Sequence, residues 1–126
     1  MSEPSEPVDL STVKARFAKG WPSWISCGDG WHRILVDLDE QLAQVAPDIE
    51  YQQIKEKFGG LRVYVSESSE AVDRLIREAE ERAARTCEQC GEPGQLRVNS
   101  RNWYRTLCPS CADEGYEAVP PREDQP

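Results

Sequence analysis

Apolar residues recur along this chain in two rhythms, and each predicts a different kind of element. Between residues 31 and 45 the rhythm is helical. Trp31, Ile34, Leu35, Leu38, Leu42 and Val45 fall on one face, while Arg33, Asp37, Asp39, Glu40 and Gln44 point away. Asp29 is placed to cap this helix and Pro47 to end it. Residues 49–65 change to strand alternation, with Leu61, Val63 and Val65 inward and Arg62 and Tyr64 outward. Gly59-Gly60 between two β-prone runs predicts a hairpin turn. The helical rhythm returns from Ser68 or Ser69 to about Thr86, with Val72, Leu75, Ile76, Ala79 and Ala83 inward. Its outer face places Glu70–Arg74, Asp73–Arg77, Glu78–Arg82 and Glu81–Arg85 at i, i+4 spacing. A shorter helix is expected from Asp9 or Ser11 to near Gly20, with Leu10, Val13 and Phe17 on its inner side.

The rhythm stops at Cys87, where chemistry takes over. The chain reads Cys87-Glu-Gln-Cys90, seventeen residues, then Cys108-Pro-Ser-Cys111. Two Cys-x-x-Cys pairs at this separation are the spacing of a structural zinc site with four thiolates. Gly91 suits a sharp turn after the first pair, because glycine tolerates positive φ. Residues 95–98 and 103–107 read as strands joined by the turn-forming run 99–102. Pro109 suits a helix start. Knuckle, hairpin and helix, with the helix continuing over 112–118, is the order of a treble clef; a zinc ribbon is the near alternative. Four thiolates leave no open position for substrate, which makes such a metal a staple rather than a catalyst. Two disulfides or free thiols are the competing readings. The N-terminal residues have no basic start and apolar run, so a cytoplasmic, thiol-reducing setting is expected, and it favours metal.

Composition sets the scale. With 126 residues and 38% apolar content, the chain holds one small core, to which a bound metal adds useful folding energy. The expected class is α+β. Residues 1–8 form a disordered tail, 9–86 a helix-helix-hairpin-helix core, 87–118 a treble-clef-like zinc module and 119–126 an acidic tail. No apolar run approaches the ~18 residues of a membrane span. Formal net charge is −8, with the excess in the two ends and one helix rather than in a block. Such a charge disfavours general nucleic-acid binding and is compatible with a solvated surface or a protein partner.

Candidate chemistry is sparse. Trp21, Trp24 and Trp31 crowd a short loop, either as plugs between helices or as an exposed contact patch. Gly28-Asp29-Gly30 lacks the strand and lysine of a phosphate-binding loop. Cys27 and His32, the only cysteine outside the pairs and the only histidine, could form a nucleophile pair with Asp29, but three side chains on one short loop seldom converge. Two tips combine cations with aromatics: Lys55, Lys57 and Arg62 beside Phe58 and Tyr64, and Arg101, Trp103, Tyr104 and Arg105 on the zinc hairpin.

Gly28–Trp31, the Lys-Glu-Lys-Phe-Gly-x-Leu-Arg run at 55–62 and the two cysteine pairs together resemble a group of small, mostly uncharacterised proteins of bacteria and their phages. The resemblance covers about residues 28–112 and implies an accessory protein with no assigned catalytic residue. The expected function is a zinc-stabilised protein-binding module of the adaptor, inhibitor or immunity type. The alternatives are a nucleic-acid binder using the zinc hairpin and, last, a Cys/His enzyme.

Overall fold

The computed structural model describes residues 8–20, 22–112 and 115–119; Trp21 and most of the two expected tails lie outside them. The first helix, α1 (Ser11–Ala15), is shorter than the sequence pattern predicts. Backbone pairing explains its early end. The Arg16 carbonyl accepts the Tyr51 N–H at 3.0 Å and the Ala18 N–H donates to the Tyr51 carbonyl at 2.9 Å, so residues 16–18 run along a sheet edge. A two-residue strand, β1 (Ile25–Ser26), follows. It pairs in parallel with β2 (Tyr51–Lys57), and β2 pairs antiparallel with β3 (Gly60–Val65).

The second helix, α2 (His32–Val45), is entered through a 3-10 turn, Asp29–Trp31. Asp29 therefore does not cap it: its side chain accepts no capping hydrogen bond and stands in solvent. The α2 stripe is buried as its spacing predicts, except Val45, which is half exposed at the last turn. One expected outward residue turns in. Asp39 is buried, and its Oδ1 accepts from Arg16 Nε at 2.7 Å and from the Tyr51 hydroxyl at 2.8 Å. Burial, then this bond to the carboxylate, raises the Tyr51 pKa.

The hairpin turn sits one residue earlier than expected. Lys57 pairs with Gly60, so the loop residues are Phe58 and Gly59, both at positive φ (53° and 83°). The third helix, α3 (Glu70–Ala83), is capped by Ser69, whose Oγ accepts the Val72 N–H at 3.1 Å. Its four expected i, i+4 pairs do not close to ion-pair distance; Arg82 instead reaches across to Asp37 at 2.8 Å. The inward faces of α2, α3 and the first sheet share one core, centred on Trp31, Leu35, Leu38, Ile54, Leu61 and Val72.

A second sheet follows, in the order β5-β4-β6, made of β4 (Gln95–Val98), β5 (Tyr104–Leu107) and β6 (Glu117–Ala118). Among the described residues there is no helix after Cys108. Pro109–Cys111 form a turn, and Glu117–Ala118 pair with β4 instead of ending the helix expected over 112–118. The class is α+β with a four-cysteine module, as the pattern predicts.

Asp39 supplies a test. Replacing Asp39 with Ala strands the Arg16 and Tyr51 donors, and a buried donor without a partner costs about 1–3 kcal/mol. Urea unfolding of Asp39→Ala should show a loss in that range, whereas the exposed Glu40→Ala should lie within about 0.5 kcal/mol of wild type.

Candidate metal centre

Each cysteine pair is held by its own turn. In the first, the Gly91 N–H donates to the Cys87 carbonyl at 2.9 Å, and Gly91 has the expected positive φ of 87°. The Cys87 N–H donates to the Glu92 carbonyl at 2.6 Å, and the chain folds back so that Thr86 and Pro93 form an antiparallel bridge. In the second turn the N–H groups of Cys111 and Ala112 both donate to the Cys108 carbonyl. The β4–β5 hairpin joins the two turns. Asn99 shapes its tip by accepting the N–H groups of Arg101 and Trp103 on Oδ1.

These turns bring the four sulfurs within 4.8 Å of one another, with Cys90 and Cys108 at 3.6 Å. A tetrahedral ion with metal–sulfur bonds of about 2.3 Å requires sulfurs about 3.8 Å apart. A disulfide requires about 2 Å. The spacing fits one metal ion, and all four cysteines are free thiols. The thiols influence one another, and neighbouring thiols push Cys111 up to about 12. Burial works against a Cys87 thiolate, but backbone hydrogen bonds from Cys108, Cys90 and Gln89 outweigh it and bring its pKa down to about 6. Cys87 and Cys108 are buried, whereas Cys90 is exposed and Cys111 half-buried.

What seats this module on the core is not legible in any local pattern. Glu88, between the first two cysteines, is buried. Its carbonyl accepts the Gly30 N–H at 2.7 Å and its Oε2 accepts the Gly28 N–H at 2.9 Å. Its own N–H donates to the Thr106 carbonyl at 2.9 Å. Oε1 makes no hydrogen bond, and the nearest cation, Arg105 Nε, is 3.7 Å away. Beside it, Trp31 is fully buried and donates its indole N–H to the Thr86 carbonyl at 2.8 Å. Gly28-Asp29-Gly30 is thus a contact strip against the first cysteine turn. An added Cβ at Gly30 would lie 2.1 Å from the Cys87 carbonyl oxygen, a backbone atom that has nowhere to go.

The other candidate residues divide. Cys27 does not pair with His32; the contact within reach of His32 is Asp29, at 3.9 Å. Burial, then the charge of Glu88, pushes the Cys27 thiol up to about 12, the opposite of an activated nucleophile. The tip of the first hairpin meets strand β5 of the second. Thr106 Oγ1 donates to the Gly59 carbonyl at 2.7 Å, and an added Cβ at Gly59 would touch the Tyr104–Arg105 backbone. Trp24 is 75%, Phe58 71% and Trp103 65% exposed. Lys55 and Lys57 lie over the rings of Tyr64 and Phe58, at 5.9 and 5.8 Å. Arg101 is exposed, while Arg62 and Tyr104 are half-buried. No protein-family model, curated protein or solved structure matches this chain. No described helix is long and apolar enough to cross a membrane.

Two measurements check the centre. Elemental analysis of the purified protein should find one metal ion per chain, and Cys108→Ala should lose it along with the β4–β5 structure. Gly30→Ala should destabilise the fold by more than about 2 kcal/mol and hasten metal loss to a chelator. Gly115→Ala, with nothing within 4 Å of the new methyl, should do neither.

Proposed function

We propose that this chain is a zinc-stapled protein-binding module, one that acts by occupying a partner as adaptors, inhibitors and immunity proteins do. Zinc is the ion best suited to four thiolates in a closed tetrahedral set, and such a set performs no chemistry of its own. The binding reading rests above all on Phe58. This residue carries a large apolar ring that is 71% exposed, on a backbone at φ 53°. A non-glycine residue in that region costs about 1 kcal/mol, and the exposed ring offsets it with no core packing, only the Lys57 ammonium 5.8 Å from its centre. Asn would fill the same turn more comfortably. A sequence that keeps Phe there is explained by a ligand that takes the ring.

The surroundings agree with this role. Trp103 stands in solvent on the neighbouring hairpin, whose base is tied by the cysteine cluster. Gly59 and Thr106 brace one hairpin against the other. A surface ordered in advance loses little entropy on binding, and Trp is among the residue types that dominate interface energies. Arg105 has a different task, since it is the cation nearest the buried Glu88 carboxylate.

The test separates folding from function. Phe58→Asn should melt at a higher temperature than wild type, by about 1 kcal/mol of added stability, and yet bind its partner more weakly. Trp103→Ala should leave metal content and melting unchanged and weaken binding by about 2 kcal/mol, roughly thirtyfold. The partner for these titrations is the stoichiometric protein retained by the wild type from a nuclease-treated bacterial lysate. Undiminished binding by both variants would end this reading. Recovery of DNA or RNA in place of protein would favour the nucleic-acid alternative.

A further inference from the structure

The outer face of the first sheet holds an arrangement that folding alone does not explain. By strand alternation Gln53, Lys55 and Lys57 of β2 and Gly60, Arg62 and Tyr64 of β3 point away from the core. No acidic residue is among them, in a chain with 23 Asp and Glu. Lys55 and Arg62 are direct cross-strand partners, so two like charges stand opposite each other on the face. Such a pair is destabilising. Among the described residues no carboxylate lies within 4.0 Å of either cation. The acid that feels Arg62 is Glu80 on α3, half-buried, its pKa raised by burial and lowered in part by the Val63 N–H and that charge.

Aromatic residues border the cations. Tyr64 is on the same face, Phe58 projects from the turn at its end, and Trp24 precedes the edge strand β1, whose Ser26 pairs with Lys55. The rings are not bare platforms. One face of Tyr64 and one of Phe58 already carry a lysine ammonium. A nucleic-acid base would have to displace those ammonium groups to stack there. Carboxylates can pair with them where they stand.

We infer that this sheet face is the part of the binding surface that selects the partner, and that it takes an acidic protein segment, its carboxylates on Lys55, Lys57 and Arg62 and an apolar side chain against Phe58. The inference rests on the protein-binding reading and adds to it the partner's chemistry. Binding then relieves the Lys55–Arg62 repulsion, so the unbound state is raised in energy at the contact where the ligand arrives. Attraction of this kind acts on specificity and association rate and is screened by salt.

The experiment uses the full metal-loaded chain and three fluorescein-labelled probes: a short peptide of alternating Glu and Leu, the same peptide with Gln for Glu, and an oligothymidylate of equal length. Fluorescence polarisation at low salt should show the Glu peptide binding at least about tenfold more tightly than the Gln peptide, with the difference shrinking as salt rises. Amide shifts in NMR spectra should map to residues 53–64. Lys55→Gln with Arg62→Gln should remove that preference while melting no lower than wild type, and Lys55→Glu with Arg62→Glu should reverse it. Equal affinity for the Glu and Gln peptides, or an unchanged preference in the Gln variant, would overturn the inference. So would tighter binding of the oligothymidylate, which would assign the face to nucleic acid. Phe58→Asn keeps the two readings apart. If it binds the Glu peptide as wild type does while the charge variants lose it, the acidic preference stands and the Phe58 anchor fails.

Discussion

The structure depends on how closely two backbones approach, Gly28–Gly30 against the first cysteine turn. A metal module of this size has a small core of its own, here Cys87, Leu107 and Cys108 with a few half-buried neighbours. It is held in place by being locked onto a larger one. Glu88 makes the lock with both its backbone and its side chain, and Trp31 fixes the same junction from the core side through Thr86. The bare Cα of Gly30 is what permits the 2.7 Å bond to the Glu88 carbonyl. An ion held by the four thiolates would thereby be linked to folding of the core. Ligand energy that orders the cysteine turn also orders the loop that leads into α2.

That linkage limits where function can reside. The residues around the cysteine cluster are committed to structure: Glu88 and Thr86 receive the core, Thr106 reaches the first hairpin, and Arg105 answers a buried carboxylate. The exposed aromatics stand at the hairpin ends and beside the first sheet, away from the thiolates. Cys27 fits the same division. Burial, then the charge of Glu88, favours its protonated thiol, and it does not pair with the His32 that lies close in sequence.

Periodicity made the helical faces, the alternation of β3 and the cysteine spacing legible, because each is a local pattern with one physical meaning. What it missed was set by contacts distant in sequence. Asp39 reads as an outward position on a helix wheel and is buried because Arg16 and Tyr51 bring donors to it. The pairing of residues 16–18 with Tyr51 shortened α1, and no pattern within residues 9–20 encodes an edge 35 residues away. β1 is too short to show a period at all. Asp29 had the right type for a cap, but its neighbours were required for the Glu88 contact, and the turn formed there instead. Pro109 was compatible with a helix; the pairing of residues 117–118 with β4 took the chain elsewhere. Gly59-Gly60 offered two turns, and the strand register chose the one that forces Phe58 into the left-handed region.

This last choice carries the most information about function. A hairpin with Gly59 and Gly60 as its loop would have met the turn's demand for positive φ without strain. The observed register places Leu61 and Val63 in the core and sets Val63 against Ile54, at the expense of a strained Phe58. Moving the loop by one residue shifts the pairing by two, which keeps Leu61 and Val63 inward but sets Val63 against Glu56 instead of Ile54 and so breaks an apolar pair in the core. Folding therefore fixes the register, but it does not ask for Phe at the tip. Nor does it ask for Lys55 opposite Arg62, since the register is already set by the inward side of the same strands. Strain at the turn and like charge across the face belong to one short hairpin, and they are the two features that the proposed partner would relieve.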